Sequence, residues 1–456
     1  MYDLVIKNGR LPDFEKDQLA VKDIAIKQGL IVDIGESIGS GKEIIDARGL
    51  IVSPGFIDIH MHEEVIGHSK DGDDYDIANK MLAMGVTTAV GGNCGNNRQN
   101  TKDFMDFVEN KGAPINYLTY IGHNFLRNQL GIDPYEPATK SQIEKMKEQV
   151  KIAIDQEGSI GISFGIEYSP GITYDELVEI GGAYEGQALL SAHYRRDADG
   201  AIESIKEMIN ISKDTKKPMQ IAHIGSCSAF GHMKASLELI QKARNEGLSI
   251  AGDCYPYDAF STRIGSAVFD DGCFQTWNKS YDSILLTEEP YKGKYCDEQL
   301  FKKARKEYPQ MLAVAFVMNE LEVIEALQAP FIYVASDALM NKGQGHPRGA
   351  GTFPRVLGKY VREQGNLTLL DALKKMTYLP AQRLGLNQKG QVKEGMDADL
   401  VIFDENRIID RATFTEPAQA PRGIEYVIVK GNIGMKKGQM IHSRLGTLIK
   451  RQTLKG

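Results

Sequence analysis

The sequence predicts an α/β protein: a (β/α)8 TIM barrel with a small β-sandwich built from both chain termini. Three observations point there. Between residues 54 and 388, short apolar strands alternate with amphipathic helices about eight times. Residues 1–53 and 389–456 read instead as strands of period two, separated by Gly or Asn-Gly turns. Six of the nine histidines fall at the ends of predicted barrel strands or just beyond, where barrels carry their active sites.

The elements follow in order. "DLVIKNG", "DIAIKQG", "LIVDIG" and "LIVSPG" are the first half of the terminal β-structure. The barrel opens on "PGFIDIHMHEE", residues 54–64, an apolar run ending in His60 and His62. Residues i and i+2 of a strand face the same way, so both imidazoles point to one spot. The next strand, "GVTTAVGGNCG" (85–95), ends in Cys94, and "NYLTYIGHN" ends in His123. "SIGISFGIEYSPG" (159–171) ends in Glu167; Thr173 and Glu176 then read as a capping box at a helix start. "QALLSAHYRRD" (187–197) ends in His193, "PMQIAHIGS" (218–226) in His223, and "LSIAGDCYPYD" (248–258) in Asp253 or Cys254. "PFIYVASDALM" (330–340) ends in Asp337. A long insertion, about 258–330, precedes that last strand and holds the only tryptophan, Trp277. A connection of that length is either a lid or a peripheral subdomain. His68 and His442 read as surface residues, and His232 has no assigned role. "ADLVIFD", "YVIVKGN" and "QMIH" complete the terminal β-structure, giving domains 1–53, 54–388 and 389–456.

Composition narrows the function. A formal net charge of −7 with 25% charged residues gives no electrostatic reason to expect nucleic acid or an anionic membrane as partner. No stretch approaches the roughly 18 apolar residues of a membrane span, and the start of the chain lacks a signal-peptide pattern. The five cysteines are odd in number and irregularly spaced, which predicts reduced thiols and a cytoplasmic location. Nitrogen, sulfur and carboxylate ligands converging on one rim point to a transition metal, and thiolate with imidazole favours zinc. His60, His62, Cys94, Glu167, His193, His223 and Asp337 are the candidate ligands.

"SPGFIDIHMH" together with "GQVKEGMDADLVIFD" resembles the amidohydrolase superfamily. Within it, "GGNCG" (91–95), "IGHNFLR" (121–127), "AHYRRD" (192–197), "GDCYPYDAFST" (252–262), "SDALMNKGQGHPRGAGTFPRVLGKYV" (336–361) and "ATFTEPAQAPRGIEYVIVKG" (412–431) resemble the N-acyl-D-amino-acid deacylases. The resemblance covers essentially the whole chain. It implies that Cys94, His193 and His223 hold one zinc ion tightly, and that His60, His62 and Asp337 form a second, weaker position. It implies that Asp337 is the catalytic acid/base, that Arg348 binds the substrate carboxylate and that Tyr257 touches substrate. Two departures stand out. Gly225 replaces a lysine usual in the family, with Arg263 as a substitute cation. Glu167 stands where many members are neutral, either bridging metals or bonding substrate or Arg195. His123 and His346 are candidates for stabilising the oxyanion.

Hydrolysing an amide at neutral pH needs a nucleophile, a polarised carbonyl and a proton for the leaving nitrogen. Zinc supplies the first two by lowering the pKa of bound water to about 7, and Asp337 supplies the third. The expected substrate is a small N-acyl-D-amino acid, yielding a carboxylate and a free D-amino acid, with homo-oligomerisation left open. The alternatives are a cyclic-amide hydrolase of hydantoinase or dihydroorotase type, a D- or isoaspartyl dipeptidase, and an inert assembly barrel.

Overall fold

A computed structural model of the chain describes residues 1–67 and 74–451; His68 lies outside them. The two chain ends meet in one nine-stranded sheet. Tyr2–Asp13 pairs antiparallel with Gln18–Lys27 and parallel with Gly41–Asp46 and Ile51–Pro54. Leu400–Phe403 then lies antiparallel to Ile51–Pro54, joining the C-terminal strands to the N-terminal ones. Ile6, Ile24, Val52, Leu400 and Ile428 bury one continuous core across that junction. The period-two alternation of both segments exists because one face of this sheet packs inward.

Two parallel sheets carry the middle of the chain. One runs Phe56–Asp58, Val86–Gly91, Asn116–Thr119. The other runs Ile121–Gly122, Gly161–Gly165, Leu189–His193, Met219–Ile221, Ile250–Cys254, Ile332–Val334. Every residue in these strands is buried, as in parallel sheets covered on both faces. Tyr120 alone separates the last strand of the first sheet from the first strand of the second. At the other ends, Met61 bridges Ala338 in parallel, and the Asp337 N–H donates to the His60 carbonyl at 2.8 Å. The buried Asp58 carboxylate clamps this seam, accepting from the Ser336 N–H at 3.0 Å and the His60 N–H at 3.1 Å.

Helices connect the strands, several of them with a side-chain cap at the start. Thr139 and Gln142 form a reciprocal capping box before Lys140–Ile152. Thr173 caps Tyr174–Gly181 by accepting from the Glu176 N–H, but the expected return bond is absent. The Glu176 side chain turns inward instead, where its carboxylate accepts from His123 and Arg127. Burying two cationic or ring donors with one carboxylate outweighs one cap bond at the helix surface.

The insertion is a second small unit. Phe260–Arg263, Leu312–Ala315, Ile284–Leu286 and Lys294–Tyr295 form an antiparallel sheet, with Glu298–Glu307 packed beside it. Trp277, Phe269, Phe274 and Phe301 meet edge to face in its aromatic core. The Trp277 indole N–H donates to Asp197 at 2.7 Å, fastening the insertion to the segment after Leu189–His193.

Candidate active site

The side chains of interest stand at the C-terminal ends of the parallel strands. His60, Cys94, His223 and Asp337, all buried, bring one ligand atom each to within 4.8 Å of one another. Cys94 Sγ lies 3.3 Å from both His60 Nε2 and His223 Nε2. Three of the four sit at positive φ without being glycine: Cys94 at 55°, His223 at 30° and Asp337 at 50°. Such backbone is costly for residues with a Cβ and persists where the surroundings over-determine it, commonly at functional sites.

The hydrogen bonds fix which nitrogen each imidazole presents. His60 Nδ1 faces Asp253 Oδ1 at 3.1 Å, so Nε2 is left for the centre. The Ser226 hydroxyl spends its proton on the His223 carbonyl at 3.0 Å; it therefore accepts from His223 Nδ1 at 2.8 Å. His193 Nε2 meets Glu167 Oε2 at 2.8 Å, and His193 Nδ1 meets His223 Nε2 at 2.9 Å. The bonds of His60 and His223 thus turn the Nε2 of each toward Cys94 Sγ. Imidazole lone pairs, a thiol and a carboxylate around one point are the donor set that zinc takes, and the outer acceptors Asp253, Ser226 and Glu167 are the kind that orient histidine ligands.

Several site residues are not where the sequence put them. His60 belongs to the tight four-atom set, and His193 stands next to it. His62 Nε2 reaches Asp337 Oδ1 at 3.1 Å and stays outside the set. Glu167 touches His193 Nε2 and lies outside the four-atom set; burial pushes its carboxyl up to about 8. His123 is turned away from the centre, fully buried against Phe164 and bonded to Glu176. His346 is occupied at both nitrogens, by the Ala259 carbonyl and the Arg348 N–H, each at 3.0 Å. It positions Arg348 and has no free group for an oxyanion. Tyr257 packs on Arg355 and points toward Gly351, whereas Tyr255 lies under the Arg348 guanidinium, 4.6 Å from its centroid. Position 225 faces packing, since a Cβ there would meet Cys254 Sγ and Met318 Cε at 3.1 Å.

Asp337 and Arg348 form the other half of the site. Asp337 Oδ1 faces the imidazoles of His60 and His62, while Oδ2 accepts from Arg348 Nη2 at 2.9 Å. Burial works to raise this carboxyl, but Arg348 and the imidazoles outweigh it and hold it well below the usual range. Burial drives His193 down to about 3, keeping its imidazole neutral. Arg348 Nη2 also donates to the Ser261 carbonyl at 3.0 Å, yet Nε and Nη1 are buried with no partner, as is the Tyr255 hydroxyl. Both residues line a small recess beside His193, His223 and Asp337. Asp337 and His62 also border a larger cavity of about 390 Å³. Tyr255, Ser226 and Arg98 went unmarked in the sequence, although Ser226 three residues after a candidate ligand and Arg98 in the Asn-rich loop behind Cys94 were readable signals.

Residues 51–434 match the amidohydrolase family. The chain is 32% identical to an N-acyl-D-glutamate deacylase of Alcaligenes xylosoxydans xylosoxydans, over 98% of this chain and 96% of the relative. It superposes with a TM-score of 0.88 and 29% identity on N-acyl-D-glutamate deacylase from Bordetella bronchiseptica complexed with zinc and a phosphonate inhibitor, covering 98% and 99% of the two chains. It superposes with a TM-score of 0.89 and 26% identity on a D-aminoacylase described for its binuclear metal centre, covering 99% and 100%.

Proposed function

The chain belongs to the amidohydrolase family, and on that premise we propose that it is a zinc-dependent hydrolase of N-acyl-D-amino acids, releasing a carboxylate and a free D-amino acid. Deacylase relatives aligned over almost the whole chain support this reading. The observation that carries it is Arg348: one of its nitrogens holds Asp337, and two are buried and partnerless beside the ligand cluster. Cys94, His193 and His223, with His60 and Asp337 adjoining, would hold one zinc ion; His62 with Asp337 is the place for a second, weaker one. When bound, zinc lowers the pKa of water to about 7 and polarises a carbonyl oxygen.

The protein's own groups do the rest. Asp337 is anionic at neutral pH, takes a proton on the oxygen facing the cluster and delivers it to the leaving nitrogen. Arg348 Nε and Nη1, with the Tyr255 hydroxyl, bind the substrate α-carboxylate. That fixes the α-carbon relative to Asp337 and so selects one hand of the amino acid. His62 and Arg348 together keep the Asp337 carboxylate in one orientation. A linear amide is favoured over a cyclic one because the strand Gly161–Gly165 carries no lysine to bridge two metals.

Counting Asn116–Thr119 and Ile121–Gly122 as one strand interrupted at Tyr120, we read the nine parallel segments as one closed eight-stranded barrel, on the strength of that junction and the Met61–Ala338 bridge. The terminal sheet we read as the small sandwich, bent where Tyr2–Asp13 meets three partners, with domains 1–53, 54–388 and 389–456. Five unpaired cysteines fit a reducing, cytoplasmic setting.

Replacing Asp337 with Asn tests the mechanism on N-acetyl-D- and N-acetyl-L-amino acids. Loss of roughly 10²–10⁴ in kcat on the D series is expected, with little turnover of the L series. Zinc content measured alongside separates lost chemistry from lost metal. Full retained turnover contradicts the role of Asp337, and turnover confined to cyclic amides contradicts the substrate class.

A further inference from the structure

The larger cavity holds two cations that the proposed chemistry does not use. Arg98 lies on the loop after Val86–Gly91, and Arg263 ends the first strand of the insertion. Both line the cavity with His62, Asp337 and Tyr168. Neither guanidinium has a hydrogen bond or ion pair among the described residues. Other buried or half-buried arginines differ: Arg127, Arg348, Arg355 and Arg383 each donate to named acceptors. The carboxylates nearest Arg98 are committed elsewhere. Glu63 accepts from Thr119 and Asn97, Glu64 from the Ile77 and Ala78 N–H groups, and Glu288 from Leu312 N–H and Asn341. Burial first, then repulsion from Arg263, draw Arg98 down to about 10.

We infer that Arg98 and Arg263 clamp a second carboxylate of the substrate, so that the preferred N-acyl-D-amino acid is a dianion. The inference rests on the deacylase reading above and names its substrate class. Arg348 takes the α-carboxylate in its own recess, and Asp337 borders both that recess and the cavity. A substrate whose scissile amide lies at Asp337 thus has its remaining group in the cavity. Two half-buried guanidinium groups without a counter-ion repel each other; one carboxylate bound by both removes that repulsion and gains charge-assisted hydrogen bonds. The second carboxylate belongs either to the amino-acid side chain or to the acyl group. Since Arg263 comes from the insertion, the insertion sets specificity.

The test compares kcat/KM for acid and neutral partners of one shape. N-acetyl-D-glutamate is set against N-acetyl-D-glutamine, N-acetyl-D-aspartate against N-acetyl-D-asparagine, and N-succinyl-D-alanine against its terminal amide, N-succinamoyl-D-alanine. The first two pairs report a side-chain carboxylate, the third an acyl carboxylate. In one arm the acid should win by about tenfold or more, mainly through KM, and high salt should narrow the gap. Arg98→Gln and Arg263→Gln should each bring the ratio toward one, while Arg98→Lys and Arg263→Lys retain part of it. Turnover of the neutral partner shows that each variant is folded. Ratios near one in all three pairs overturn the clamp and leave the deacylase reading intact. If no N-acyl-D-amino acid is hydrolysed, that reading falls. Calorimetric titration with glutarate then decides the clamp: binding lost in both Gln variants supports it, and no binding to the parent protein overturns it.

Discussion

Asp253 accepts three bonds at once: from His60 Nδ1 at 3.1 Å, from the His223 N–H at 2.8 Å and from Gln220 at 2.8 Å. It thereby sets the tautomer of one cluster histidine and the backbone of another. Asp253→Asn should weaken zinc binding by roughly 10–100-fold, because an amide can donate where the imidazole must. Competition with a chelator measures this, and unchanged affinity would show that Asp253 does not orient the ligands. Ser226→Ala should act in the same direction and less strongly, since water can replace a hydroxyl acceptor. At this scale the sequence was legible in kind. The residue types that meet were all visible at strand ends, because strand periodicity states which side chains emerge together. Their pairing was not visible. Tyr255 and Tyr257 share a parity, so alternation cannot choose between them; the helix Arg348–Arg355, almost a hundred residues on, decides by placing Arg348 over one and Arg355 over the other. His123 looked like its neighbours at strand ends, but Glu176 and Arg127 claim it from helices.

One of the buried polar bonds that hold the insertion, Trp277 to Asp197, is pH-sensitive. Burial raises the Asp197 carboxyl from 3.8 to about 8, although the Trp277 N–H bonded to it works the other way. Between those values the folded state binds more protons than the unfolded state. The contribution of Asp197 is therefore fully present below about pH 4 and is lost as pH rises through about 8. Asp197→Asn keeps an acceptor for Trp277 and cannot ionise. Its melting temperature should exceed that of the parent by a few degrees above pH 8, with the gap narrowing as pH falls and closing by about pH 4. A gap independent of pH would mean that Asp197 is not the titrating group. Trp277→Phe should cost about 1–3 kcal/mol in chemical denaturation at low pH by leaving Asp197 without its donor. The sequence left 258–330 undecided between a lid and a peripheral subdomain, since turn-rich chain with scattered aromatics fits both. The antiparallel sheet resolves it: Phe260–Arg263 borders the active-site cavity, so the unit is structured and also contributes to the site. The half-made cap at Thr173 has the same origin, a distant partner outbidding a local one.

At the scale of the whole molecule, the two ends of the chain are one element. Removing residues 389–456 would strip four strands from the shared sheet and open the buried strand Ile51–Pro54 to solvent. It would also remove the tail that bridges Ala113 and Tyr117 through Gly446 and Leu448. That truncation should move the protein from the soluble fraction to aggregates, because an exposed apolar strand edge pairs with other chains. A soluble, folded truncation would show that the ends stabilise little. The alternation at both ends made their kinship readable, but which strands touch depends on the fold between them. The same fold gathers residues 60, 94, 193, 223 and 337 at one point, and the account depends on that convergence. Zinc K-edge absorption spectroscopy of the purified protein tests it most directly. One sulfur at about 2.3 Å with imidazole nitrogens at about 2.0–2.1 Å is the predicted shell. A shell of oxygen and nitrogen alone, or protein that retains no zinc after exposure to it, would contradict it.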